Sequence, residues 1–286
     1  MRFDCHMHTP LCGHAVGTPM EFLRRAQEKG IKLMTFTCHI PFDHLDFGGP
    51  TIRMPEKDFD RYLNWVNHAR EMGQGLGIDV LCGIEAEVFP DPTIQKQIAD
   101  FVHANNFDFV LGSLHHQLIA YRKYLSKKKR NQDPHIIEGY FNELAEGAKS
   151  GIFHSIAHPD VIRIYGTVQP FNPEDYEKPI RSFLKACADA DTCIEVNTSG
   201  LTKGVFKLHP DPLILQWAHQ AGVKLTIGSD SHKPQSVGQF FDQTLKLIDD
   251  TGFRYMHYFV RGKRQAIPIS AMRPSGKVAA DYADFR

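Results

Sequence analysis

The chain opens Met1-Arg2-Phe3-Asp4-Cys5-His6-Met7-His8-Thr9. Residues 2–8 read as a strand that runs straight into polar chemistry. Side chains alternate along a strand, so His6 and His8 point to the same side. Two imidazoles placed this way can grip a single ion. In a (β/α) barrel the working residues sit where strands finish. If the other strands finish likewise, the chain is such a barrel with metal chemistry at its mouth.

They do. Short apolar runs alternate with longer amphipathic ones, the pattern of repeated βα units. The runs at 2–8, 33–37, 79–85, 107–111, 153–157, 193–197 and 224–227 are predicted strands. An eighth run, 254–260, is expected to close or flank the sheet. Strand two ends in Thr37-Cys38-His39 and strand three in Gly83-Ile84-Glu85-Ala86-Glu87. Strand four ends in Gly112-Ser113-Leu114-His115-His116, and strand five in Ala157-His158-Pro159-Asp160. Strand seven ends in Gly228-Ser229-Asp230-Ser231-His232, and His14 follows strand one on its loop. Helical patterns fill the gaps near 19–29, 55–73, 92–103, 136–150, 173–189, 212–221 and 236–249. Thr18 followed by Pro19 is a helix start, and Gly151 and Gly222 lie just past helix ends. A barrel commonly takes ~250 residues. One domain over 1–270 with a C-terminal tail at 271–286 is therefore expected of these 286 residues.

Composition removes several function classes. The 33 basic and 33 acidic side chains cancel, which argues against a nucleic-acid binder working by bulk charge. No apolar run approaches the ~20 residues of a membrane-spanning helix. No signal peptide fits the N-terminus. A cytoplasmic protein with no membrane partner is expected. The six cysteines lack a CxxC pair and read as reduced core thiols, not a disulfide framework. Thiolate ligation is disfavoured because Cys5, Cys38, Cys82 and Cys193 lie in or at the ends of predicted strands. The basic run 127–130 reads as a solvated loop. Histidine is the enriched residue, with 16 in the chain. Imidazoles combined with carboxylates suit zinc, manganese or iron better than calcium or magnesium. The strand-end set is too large for one ion and sufficient for two or three divalent ions.

In this order the motifs resemble the polymerase-and-histidinol-phosphatase (PHP) superfamily, and within it the histidinol-phosphate phosphatases. The carrying segments are His6-Met7-His8-Thr9, Gly13-His14, Cys38-His39-Ile40-Pro41, Gly83-Ile84-Glu85, Gly112-Ser113-Leu114-His115, Ala157-His158-Pro159-Asp160, Glu195-Val196-Asn197-Thr198-Ser199-Gly200-Leu201 and Gly228-Ser229-Asp230-Ser231-His232. The resemblance runs from His6 to about Pro268. It implies an α/β fold, a distorted (β/α)7 TIM-like barrel of the PHP type, and a three-metal site. By that match one ion takes His6, His8, Glu85 and Asp230. A second takes His115 and His158, with Glu85 bridging, and a third takes His14, His39 and His232.

Two departures bear on the substrate. Where family members that hydrolyse histidinol phosphate commonly carry Arg after Ser-Gly-Leu, this chain has Thr202 followed by Lys203. Arg163 matches the other basic position expected near phosphate. Lys203 is a stand-in of different geometry, a point charge without a planar fork. The stretch 42–47 is also unusual for the family.

The expected reaction is hydrolysis of a small phosphate monoester by a hydroxide bridging the ions, with the ions neutralising charge on phosphorus. The leading substrate is L-histidinol phosphate, which would place the chain in histidine biosynthesis. Arg163 and Lys203 are expected on the phosphate. Asp160 is expected either to protonate the leaving alkoxide or to orient His158. His116 and His44, near the expected mouth, are candidate substrate contacts, and His209 could also reach the pocket. Glu87 reads as a support for the ligands, as a surface residue, or as a ligand itself. Two rival functions remain open: action on nucleotides or short nucleic acid with the same metals, and a metal-holding module without catalysis.

Overall fold

The computed structural model describes residues 1–43, 45–129, 135–165, 170–203 and 206–273. His44, Arg130 at the end of the basic run and most of the expected tail lie outside them.

Among the described residues, seven strands form one parallel sheet: β1 (Arg2–Met7), β2 (Ile31–Phe36), β3 (Asp79–Glu87), β4 (Phe109–Ser113), β5 (Ser155–Ile156), β6 (Cys193–Asn197) and β7 (Leu225–Gly228). Their spatial order is their chain order, the simplest outcome of successive crossover connections. The helices are α1 (Pro19–Glu28), α2 (Phe59–Leu76), α3 (Pro92–Ala104), α4 (Ile119–Lys127), α5 (His135–Lys149), α6 (Glu177–Asp189), α7 (Pro212–Gln220) and α8 (Phe241–Thr251). Sheet and helices together make a nearly closed (β/α)7 barrel.

Local chemistry explains the element ends. Thr18 and Glu21 form a reciprocal capping box at the start of α1. Asp91 accepts from the amides of Thr93 and Ile94 at α3, and Asp211 accepts from Leu213 at α7. Gly151 and Gly222 have φ of 72° and 74°, the left-handed conformation that glycine adopts without steric cost. Several expected helix starts shift, with α6 and α8 beginning at Glu177 and Phe241. α2 begins later than its sequence pattern, because a 3-10 turn (Glu56–Asp58) precedes it. α4 is short and weakly amphipathic and leaves no clear pattern in the sequence.

Packing between sheet and helices follows from the aromatic residues. Phe22 on α1, Phe36 on β2 and Trp65 on α2 meet edge to face, with ring centroids 4.7 to 6.1 Å apart. Fully burying one such side chain is worth about 1.5–3 kcal/mol. The eighth run forms β8 (Tyr255–Val260), which pairs with β9 (Lys263–Pro268) in a separate antiparallel hairpin. It flanks the barrel. Tyr258 packs on Phe3, and Phe259 packs on Phe109. Both partners lie near the beginnings of their strands, so the hairpin covers the end opposite the metal-type residues.

Among the described residues, the closure between β1 and β7 is made by the isolated bridge Met7–Ser231. A buried carboxylate also joins the two sides. Asp4 accepts from Ser229 N at 2.9 Å, Ser229 Oγ at 2.5 Å and Gly238 N at 3.0 Å. Burial raises its pKa to about 6, against the pull of these donors. Replacing Asp4 by Ala would strand buried donors and is expected to cost about 3 kcal/mol. Urea unfolding would measure this, and a variant as stable as the wild type would remove Asp4 from the role.

Candidate metal centre

Strand alternation and the loops after β1, β2, β4, β5 and β7 bring the nine expected ligands to one mouth. Glu85, fully inside at the end of β3, is the hub. Its Oε2 lies 2.9 Å from His39 Nδ1, 3.4 Å from His6 Nε2 and 3.5 Å from His8 Nε2. Its Oε1 lies 3.0 Å from His158 Nε2 and 3.6 Å from His115 Nε2.

The first expected set can be examined edge by edge. His6 Nε2 and His8 Nε2 are 3.1 Å apart, and Asp230 Oδ1 is 3.6 Å and 3.2 Å from them. With the two Glu85 distances, five of the six edges joining these four donors span 3.1 to 3.6 Å. Four tetrahedral ligands about 2.0–2.1 Å from a zinc ion are about 3.3 Å from one another. The donor set thus fits such an ion. His14, His39 and His232 lie on the solvent side, with ring centroids 4.5 to 6.5 Å apart. Among the described residues His232 Nε2 is a buried atom without a hydrogen-bond partner. Such an atom is costly unless something else satisfies it, and a cation would.

The electrostatics agree. Burial would raise the Glu85 carboxyl, but His39 and His6 hold it well below the usual range. Burial likewise opposes ionisation of Asp230, and Lys203 and His6 reverse it. Burial lowers His39 to about 4 against Glu85, and burial with His8 lowers His232 to about 3. Burial thus favours the neutral form of both rings, the form in which imidazole can ligate a metal. Around His6 burial is overcome by Glu195, Glu85 and Asp230, which raise it well above its ordinary value. The inner pocket draws positive charge.

Two carboxylates outside the expected set orient the rings. Glu195 on β6 contacts His6 Nδ1 at 2.8 Å and accepts from the His158 amide at 2.9 Å. Glu87 contacts His115 Nδ1 at 2.8 Å, which makes it a buried support and not a surface residue. The same Glu87 oxygen accepts from Arg53 at 2.8 Å. Arg53 also donates to the Phe47 and Ile40 carbonyls, which ties the loop between β2 and α2 to the mouth. Arg53 went unread because it lies in a loop without periodicity, 34 residues from its carboxylate. Glu195 stood in a quoted motif, and alternation with Asn197 was the signal for its inward aim. His158 and Asp230 have φ of 26° and 51°, uncommon for residues other than glycine and typical of sites whose surroundings over-determine them.

Of the expected substrate and catalytic residues, Lys203 lines the pocket, with Nζ 3.1 Å from Asp230 Oδ2. Asp160, Arg163 and His116 are not among the described residues lining it. Asp160 sits behind the wall, its oxygens 2.6 Å from His209 Nδ1 and 2.7 Å from the Asp211 amide. Burial would raise its pKa, but Arg163 and His209 keep it below the ordinary value. Arg163 donates to Asp211 at 3.2 Å and to the Leu208 carbonyl. These short-range pairs hold both side chains away from the mouth and fasten the turn after β5 to the segment after β6. His209 is absorbed in the same cluster. His116 packs edge to face on Tyr121.

The chain is similar to known proteins over most of its length. A family model described as "PHP domain" matches residues 4–199. A probable histidinol-phosphatase of Deinococcus radiodurans is 29% identical, covering 88% of this chain and 94% of its own. One of Schizosaccharomyces pombe is 24% identical over 92% and 90%. Among solved structures, the histidinol phosphate phosphatase of Lactococcus lactis, complexed with zinc, L-histidinol and phosphate, superposes with a TM-score of 0.75 at 20% identity, covering 92% and 98%.

Removing an orienting carboxylate typically weakens metal binding by about 10–100-fold. Glu195→Gln is expected to do so in a chelator-competition titration, with circular dichroism unchanged. Wild-type affinity in the variant would contradict the role.

Proposed function

The chain belongs to the PHP family, and we propose that it is a metal-dependent phosphomonoesterase acting on L-histidinol phosphate. The observation that carries this reading is the donor set of His6, His8, Glu85 and Asp230, with its five near-tetrahedral edges. In the proposal those residues, with His14, His39, His115, His158 and His232, hold two or three zinc, manganese or iron ions. When bound, such ions lower the pKa of water and neutralise charge on phosphoryl oxygens.

The chain's own groups do the rest. Glu195 and Glu87 fix the rings of His6 and His115, so that Nε2 of each faces the pocket. Lys203 places a cation at the rim, its side chain 38% exposed, where it can reach a phosphate dianion. Arg163 and Asp160 act as positioning residues for the turn that carries His158, in place of direct contact with substrate. Named relatives support histidinol phosphate over other esters. The six free cysteines are in keeping with a cytoplasmic place in histidine biosynthesis.

Phosphate release from L-histidinol phosphate, nucleoside monophosphates and short oligonucleotides, with manganese and zinc supplied separately, tests the proposal. The expected result is a kcat/KM at least tenfold higher on histidinol phosphate, abolished by chelation. Turnover confined to nucleotides would overturn the substrate, and no turnover of any ester would overturn the enzyme. A charge-assisted hydrogen bond is worth about 1.5–3 kcal/mol, so Lys203→Ala is expected to lower kcat/KM by about 10–100-fold. An unchanged value would remove Lys203 from the phosphate.

A further inference from the structure

Cys12 ends the short 3-10 turn Pro10–Cys12 that follows β1, and none of its surface is exposed. Unlike Cys5, Cys82 and Cys193, it lies outside the strands. Its sulfur and one ring nitrogen each of His14 and His232 lie within 4.8 Å of one another. A second group of the same span joins Cys12 to His8 and Cys38. The rings are turned to suit. His14 Nδ1 contacts the Cys12 carbonyl at 3.0 Å, and His232 Nδ1 contacts the Asp230 carbonyl at 3.0 Å. Each contact leaves Nε2 as the free ligating atom, and His232 Nε2 is buried without a hydrogen-bond partner.

We propose that Cys12 is a thiolate ligand of the outermost ion, the one flanked by His14 and His232. The thiol proton passes to solvent as the sulfur–metal bond forms, and no atom changes oxidation state. Cys38 is not the ligand. Its sulfur already accepts from the Thr9 amide at 3.0 Å and touches Thr9 Oγ1 at 3.0 Å. Among the described residues it shares no such group with His14 or His232.

The chemical consequence is unequal metal preference. The inner donors are imidazoles and carboxylates, which accept zinc, manganese or iron. A soft thiolate makes the outer position zinc-selective. The inference rests on the reading that the pocket holds divalent ions, and not on the identity of the ester.

Stripped protein reloaded with cobalt(II) would report sulfur ligation as a near-ultraviolet charge-transfer band. The band is expected in the wild type and in Cys38→Ser, and absent in Cys12→Ser. In zinc with excess manganese, the wild type is expected to retain about one zinc per chain that Cys12→Ser does not. Cobalt binding without the band, or loss of the band in Cys38→Ser alone, would overturn the assignment while leaving the phosphatase reading intact. Failure to bind any ion would overturn both. Should Cys12→Ser be recovered unfolded, the wild-type and Cys38→Ser spectra still decide.

Discussion

Everything at the mouth of this barrel is arranged around the carboxylate of Glu85. Burying an ionised carboxylate costs several kcal/mol even after the protein relaxes. Five imidazoles from four separate chain segments offset that cost at 2.9 to 3.6 Å. The backbone enforces the meeting. Ile40 N donates to the Glu85 carbonyl at 2.7 Å, and Glu85 N donates to the Cys38 carbonyl at 2.9 Å. His39 is thereby locked beside Glu85 by main-chain bonds before any side chain chooses a rotamer. A neutral hub would have no hold over the rings, and a mobile one could not serve five.

The outer layers of the structure make that buried charge tolerable. The Phe22, Phe36 and Trp65 cluster and the hairpin packed under the barrel contribute apolar burial far from the mouth. Asp4 does the opposite kind of work, joining two strands linked by an isolated bridge. It sits two residues before His6, and its partner Ser229 precedes Asp230. The seam is therefore held by one polar knot at the point where two halves of the inner donor set must face each other. Arg53 and Arg163 play comparable parts, each fastening a loop to the barrel through carbonyls and a carboxylate.

The fold and the convergence of the nine candidate side chains on one mouth were legible in the sequence because both follow largely from strand ends. Alternation and barrel topology dictate where His6, His8, Glu85 and His115 point, whatever surrounds them. The support layer was less legible. Glu195 and Asn197 alternated inward on a recognised strand, yet nothing local names the ring that Glu195 orients. Arg53 depends on a loop whose path is set by contacts distant in sequence. Asp160 and Arg163 look like mouth residues in a linear reading, because they follow His158 at once. The 3-10 turn Val161–Tyr165 and the pull of Asp211 carry them behind the wall instead.

The left-handed backbone at Asp230 reaches beyond catalysis into how the pocket could be redesigned or could diversify. Asp and Asn tolerate that conformation because their short polar side chains bond locally, whereas other non-glycine residues meet roughly 1–2 kcal/mol of strain there. Lengthening the side chain to Glu, an obvious way to resize the cage for a larger cation, therefore meets resistance from the main chain before any coordination chemistry begins. Variation in ion choice should consequently enter at His14 and His39, whose own φ is not positive, and leave the corner at Asp230 unchanged.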